Sequence, residues 1–258
     1  MKHRHCKALT ETTGSGCSGR LGSVIAKLAA ESSDITVVGG VDRVGNASFP
    51  IFSDFSKVDV QCDVIVDVSH HTVAPALMEY AVANSVPVVV CTTGHTEEED
   101  MIIREAAKKI PVLKSRNMSL GINVMMELVR RAAAALGDGY DIEVVEAHHS
   151  KKLDAPSGTA LMLADAAKEV REDAEYVYDR TPYRQERDKK EIGIHSVRGG
   201  TIVGEHSVIF AGLDEVITLS HSAGSRDLFA SGAIKAALFV KDVKAGFYTM
   251  SDVVKALV

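Results

Sequence analysis

Between residues 35 and 115, short runs of β-branched residues alternate with segments whose apolar positions recur every three or four residues. That alternation marks strand–helix–strand crossovers on a parallel sheet. The runs ITVVGGV (35–41), DVIVDV (63–68), VPVVVC (86–91) and IPVLK (110–114) predict strands. The segments 18–31, 72–84 and 96–109 predict helices, and Thr96 followed by three glutamates has the form of a helix start, where the dipole favours negative charge. The pattern changes after Asn117. INVMMELVRRAAAALG predicts a helix and DIEVVEA (141–147) a strand, followed by a polar loop and a helix opening near Pro156 and Ser157, with Pro156 suited to its first turn and Ser157 to its cap. The charged stretch 169–190 reads as a solvated helix end and loop. Beyond it, EIGIHSVRGGTIVGEHSVIFA and EVITLSHSA predict strands joined by glycine turns as antiparallel hairpins. RDLFASGAIKAALFVKDV returns to helical period and is placed to pack back on the first half.

The expected fold class is therefore α/β: a Rossmann-like doubly wound parallel sheet plus a second α+β domain with a mixed, largely antiparallel sheet. The expected domains are 1–117 with 226–258, and 118–225. One segment resists this reading. A first parallel strand should be apolar and β-branched, yet HCKALTETTGS offers only Ala8 and Leu9 among polar residues. Either the strand survives by context, or the segment reflects a shifted reading frame and the glycine-rich loop after it loses its platform.

Composition narrows the function. With 46% hydrophobic and 25% charged residues among 258, the chain has the make-up of a globular protein and not of a disordered tail or rod. Twenty-nine basic against thirty-five acidic side chains give a formal charge of −6, with no basic tract to follow a phosphate backbone, so nucleic acid is not an expected partner. The apolar runs fall short of the roughly 20 residues a membrane span needs, and the polar start lacks a signal-peptide core. A cytoplasmic protein with reduced thiols is expected. Cys6, Cys17, Cys62 and Cys91 are scattered without a CxxC pair.

Gly16, Gly19 and Gly22 in GCSGRLG have the spacing of a tight turn feeding a helix, where bare backbone can approach a pyrophosphate. Glycine triplets also close ordinary loops. Position adds weight, because about twenty residues on, the next strand ends in Asp42 and Arg43. A carboxylate there suits the ribose hydroxyls of NAD, whereas the guanidinium could pair with the 2′-phosphate of NADP. The pair leaves NADH and NADPH both open.

The densest cluster of titratable groups is EAHHSKKLDAPSGTA, 146–160. His148 or His149 could serve as an acid near neutral pH, and Lys152 or Lys151 could deliver a proton or hold negative charge. Gly158 and Thr159 would open a helix whose first amides suit a carboxylate or phosphate. Against this, a histidine is more often structural, and two lysines can be a solvated pair. Zinc finds poor ligand geometry in adjacent imidazoles. Ser157 lacks the flanking glycines of a nucleophile elbow.

At this block the chain closely resembles the dihydrodipicolinate reductase family of lysine and diaminopimelate biosynthesis. GCSGRLG, CTTGHTEEE, NMSLGINV, GIHSVRGGTIVGEHSVIFAG, HSAGSRDLFASGA and GFYTM extend the resemblance over most of the chain. It implies NADH- or NADPH-dependent reduction of a small cyclic dicarboxylate by a homotetramer. It implies His148 as acid and Lys152 as proton donor, with His149, Lys152, Gly158 and Thr159 binding the dicarboxylate. For the cofactor it implies Gly16, Cys17, Ser18, Gly19, Arg20 and Leu21 at the pyrophosphate, and Asp42 and Arg43 at the ribose. Cys91, Thr92, Thr93, Arg116, Asn117 and Met118 match its nicotinamide side. The departures are Cys91 for a glycine, Met118 for a phenylalanine and Val68 for an aromatic, with 42–63 shortened. The poor first strand keeps a second reading in view, a non-catalytic relative with impaired nucleotide binding.

Overall fold

The computed structural model describes residues 6–11, 19–42 and 47–257. The chain divides into two compact units, Met1–Leu120 with Asp227–Val258, and Gly121–Arg226.

In the first unit, β1 (Cys6–Glu11), α1 (Arg20–Ala30), β2 (Ile35–Val41), β3 (Ile51–Phe52), β4 (Val64–Asp67), α2 (Ala74–Asn84), β5 (Val88–Val90), α3 (Glu97–Ala107) and β6 (Pro111–Lys114) follow in order. After the second unit come α6 (Asp227–Val240), β12 (Gly246–Tyr248) and α7 (Met250–Ala256). Seven of these strands form one parallel sheet in the order β12-β6-β5-β4-β1-β2-β3. The order reverses at β1, which puts the carboxyl ends of β1, β2 and β4 at the switch point where open α/β sheets bind ligands.

The polar segment at the amino terminus thus forms an interior strand, between β4 and β2. Its neighbours β2 and β4 pair with it on both sides, so the main-chain ladder holds it. Cys6 and Ala8 are completely buried, in a cluster with Ile25 and Ala29 of α1 and Ala230, Ala233, Ala236 and Ala237 of α6. Small side chains on this strand match the small face of the helix packed nearby. The closing helix packs back on the first unit, as its period predicted.

Elsewhere the local chemistry matches the elements. Thr96 caps α3, its hydroxyl accepting from the Glu99 amide while its own N–H donates to Glu99 Oε2 at 2.9 Å. The shortened stretch after Asp42 keeps a brief edge strand, β3, whose Phe52 carbonyl accepts from the Asp42 amide at 2.8 Å.

The second unit holds α4 (Leu120–Leu136, its first residue lying in the first unit), β7 (Asp141–His148), α5 (Gly158–Lys168), β8 (Glu175–Val177), β9 (Glu191–Arg198), β10 (Glu205–Ala211) and β11 (Val216–Ser222). Its sheet runs β11-β10-β7-β9-β8 and is mixed: β7–β10 and β10–β11 are antiparallel, β7–β9 and β8–β9 parallel. Ile142, Val144, Ile192, Ile194, Val208 and Phe210 pack with Met126 and Val129 of α4 and Leu163 of α5.

Three expectations are corrected here. β9 and β10 do not form a hairpin, because β7 lies between them and pairs with both. The stretch 169–190 is more than solvated loop: it carries β8, and its Arg187 reaches Asp141 at 3.0 Å, Glu143 at 2.9 Å and the Ile142 carbonyl at 2.9 Å. Long charged side chains are ordered there by carboxylates and backbone acceptors. Pro156 precedes the α5 cap, Ser157, and so lies outside the first helical turn.

Candidate active site

β7 buries every second residue, and this alternation continues to its polar end, so Glu146 and His148 occupy the same inward face as Ile142 and Val144. Register sets their neighbours: Glu146 lies beside Ser196 of β9 and His206 of β10, and His148 beside Arg198. Glu146 Oε2 is 2.5 Å from His148 Nδ1, and Arg198 donates Nη1 to Oε2 at 2.8 Å and Nη2 to Oε1 at 2.7 Å. The Ser157 amide donates to Oε1 at 3.1 Å. Burial works to raise the Glu146 carboxyl, but the Arg198 guanidinium, with His148, Ser196 and Ser157 after it, outweighs burial and holds it down at about 2.

Ser157 caps α5, its hydroxyl accepting from the Ala160 amide at 3.1 Å and lying 2.9 Å from His206 Nε2. The His206 ring is edge-on to His148 with centroids 5.1 Å apart. Burial, reinforced by His148, pushes His206 down to about 4, so it is neutral at pH 7.

The loop from His149 to Ser157 joins these two ends. Lys152 Nζ lies 2.8 Å from Asp154 Oδ1, whose carboxyl is held low first by that contact. His149 Nε2 is 3.1 Å from Arg226 Nη2, which adds a guanidinium beside the imidazole. Gly158 and Thr159 take the first two positions of α5, the end of a helix that favours anions. One strand end, one loop and one helix start thus carry His148, His149, Lys152, Gly158 and Thr159.

In the first unit, Gly19 is the residue before α1, Arg20 and Leu21 open that helix, and the Ser23 amide donates to the Gly19 carbonyl at 3.0 Å. Gly16, Cys17, Ser18 and Arg43 lie outside the described residues. Asp42 is buried at the end of β2 and lines a cavity of about 680 Å³ with Asp54, Phe55, Thr72, Val73 and Tyr80. Phe55 and Tyr80 stack with centroids 5.1 Å apart. An apolar wall beside a carboxylate fits the adenosine half of a dinucleotide, with the helix start of α1 available to phosphate.

The remaining candidates sit at the ends of β5 and β6. The Cys91 amide donates to the Asp67 carbonyl at 2.9 Å, and burial raises both the Cys91 thiol and the Asp67 carboxyl. Thr92, Thr93 and Arg116 line a second cavity, of about 370 Å³. Asn117 shapes its turn by accepting from the Ser119 amide at 2.8 Å, and Met118 is buried. Among these groups, reading along the sequence singled out neither Arg198 nor His206, and it noted Glu146 only as a flank of the loop. The period-2 pattern of β7, extended past its apolar residues, is the signal that points to Glu146.

A doubly wound sheet with an acidic residue just after its second strand, and a second unit with a loop of titratable groups at a helix start, fit the class of an oxidoreductase on a nucleotide-binding fold, with a nicotinamide cofactor implied. Two family profiles cover the chain, "Dihydrodipicolinate reductase, N-terminus" over residues 14–118 and "Dihydrodipicolinate reductase, C-terminus" over 121–254. The chain belongs to the dihydrodipicolinate reductase family. It is 54% identical over 242 residues to the 4-hydroxy-tetrahydrodipicolinate reductase of Caldanaerobacter subterraneus subsp. tengcongensis, covering 93% of this chain and 96% of that one. To the enzyme of the same name from Clostridium tetani it is 45% identical over 238 residues, 91% of this chain and 93% of that one. Among solved structures it is similar to dipicolinate-bound dihydrodipicolinate reductase from Paenisporosarcina sp. TG-14, with a TM-score of 0.82, 25% identity and coverage of 96% and 99%. Nothing in these likenesses favours a non-catalytic relative.

Proposed function

We propose that the protein reduces 4-hydroxy-tetrahydrodipicolinate, whose hydroxyl departs as water, or the already dehydrated dihydrodipicolinate, to tetrahydrodipicolinate with NADH or NADPH, a step of diaminopimelate and lysine biosynthesis. The observation that carries this reading is the 146–160 loop, which combines a buried carboxylate–imidazole pair, a lysine and a helix start in a chain whose two halves match the two halves of the family.

A bound reduced nicotinamide supplies the hydride. The chain's residues hold and protonate the acceptor. His149 with Arg226 behind it, Gly158 and Thr159 at the start of α5, and Lys152 grip the two carboxylates of the ring. That grip fixes the electrophilic ring carbon for attack. Lys152 leaves Asp154, donates its proton to the reduced ring, and His148 assists that transfer.

On the cofactor side, Gly16, Cys17, Ser18, Gly19, Arg20 and Leu21 meet the pyrophosphate, and Asp42 and Arg43 the ribose. Cys91, Thr92, Thr93, Arg116, Asn117 and Met118 meet the nicotinamide. The protein works in the cytoplasm as a homotetramer. Titrating NADH and NADPH into the protein tests the nucleotide half directly. Asp42→Ala is expected to weaken NADH binding at least tenfold, about the worth of one charge-assisted hydrogen bond to ribose. Failure of the unaltered protein to bind either nucleotide would reject the reading.

A further inference from the structure

The imidazole of His148 is not free to choose which nitrogen carries its proton. The Glu146 carboxylate behind it is wholly buried, and it is held ionised by the paired guanidinium nitrogens of Arg198 and by the Ser157 amide. An ionised carboxylate only accepts, so Nδ1 at 2.5 Å must be the donor. Nε2 is then the nitrogen that exchanges a proton with a ligand. On that side Nε2 faces the main chain of Gly204, where a Cβ would stand 3.0 Å from it, so a side chain at 204 would crowd the nitrogen.

Arg198 makes a further contact. Its Nη2 also donates to the Asp154 carbonyl at 2.7 Å, and Asp154 is the residue that holds Lys152. One guanidinium therefore touches both the carboxylate behind His148 and the backbone behind Lys152. A pair that merely stapled β7 to β9 would need no such link to the loop.

We infer that Glu146 and Arg198 are a positioning pair, which locks His148 as the Nδ1-protonated tautomer and sets the spacing between its Nε2 and the Lys152 ammonium. The inference rests on the assignment of His148 and Lys152 made above, and the following experiment separates the two. In steady-state reduction of the substrate by NADH, Glu146→Gln is expected to lower kcat by about 10²-fold or more, the scale of a lost acid–base contribution, with KM for the substrate changed less than threefold. In a His148→Ala background the same substitution should change kcat less than threefold, because the pair acts through His148. Arg198→Lys, which keeps charge and loses the paired geometry, should fall between Glu146→Gln and the unaltered enzyme.

A loss in the His148→Ala background as large as in the unaltered enzyme would make Glu146 structural and overturn the inference alone. If His148→Ala itself left kcat unchanged, the assignment of His148 would fall and the inference with it. Should Glu146→Gln fail to fold, nitrogen-15 NMR of the unaltered protein decides the matter. Protonated Nδ1 with bare Nε2 in the neutral imidazole is the expected result, and the opposite tautomer would overturn it.

Discussion

Two buried side chains make the second unit sensitive to acid in separate windows. His206 is pushed down to about 4 by burial, so as pH falls from about 6.5 towards 4 the unfolded chain takes up a proton that the folded one refuses. Stability is then lost over that range and levels off below it. Glu146, held at about 2, contributes stability that is complete above the ordinary carboxylate range and is lost as pH falls from about 4.5 towards 2. Each effect is worth about 3 kcal/mol at most. Chemical denaturation of the protein between pH 7 and pH 4 is expected to show falling stability, and His206→Asn should flatten that fall. An equally steep profile in the variant would place the effect elsewhere. At this scale the sequence was informative where groups cluster along the chain: His148, His149 and Lys152 stand within five residues of one another. Arg198 and His206 were hidden because they reach the site across strands, Arg198 being 52 positions from Glu146 and His206 49 from Ser157.

Among the elements, the strands with continuous apolar runs were legible, since burial on both faces leaves no other pattern. β2 begins and ends where ITVVGGV predicts. β1 was not legible as a strand because its contribution is main-chain pairing and small size, and neither appears in a hydrophobic pattern. β9 was misassigned to a hairpin for a related reason: glycine turns mark where the chain can bend but not which strand it pairs with afterwards. The same demand for small size recurs at Gly232 in α6, where a Cβ would stand 1.7 Å from the Met118 carbonyl oxygen. Backbone cannot yield as a flexible side chain does, so Gly232→Ala must shift α6 or the turn at Asn117 and Met118. Urea unfolding is expected to show a loss of about 2 kcal/mol, with weaker NADH binding because that turn is proposed to meet the nicotinamide. Unchanged affinity with reduced stability would remove the turn from the cofactor site.

For the whole molecule, alternating strands and helices followed by a mixed sheet made the two-part architecture readable, and the motif blocks made the family readable. Among the described residues no helix is long and apolar enough to cross a membrane. β11 is an edge strand, and Val216 on it, with Leu213 just before it and Val197 at the end of β9, leaves apolar surface open. Edges of this kind invite pairing with another copy. Sedimentation equilibrium is expected to give a tetramer, and a monomer at micromolar concentration would refute the proposed assembly.

The proposed reduction depends on Lys152 as its proton donor. Following consumption of NADH or NADPH with enzymatically generated 4-hydroxy-tetrahydrodipicolinate tests it most directly. The unaltered protein should turn over, and Lys152→Ala should lose at least about 10²-fold in kcat while still binding the nucleotide as tightly. Equal turnover by Lys152→Ala would contradict the account.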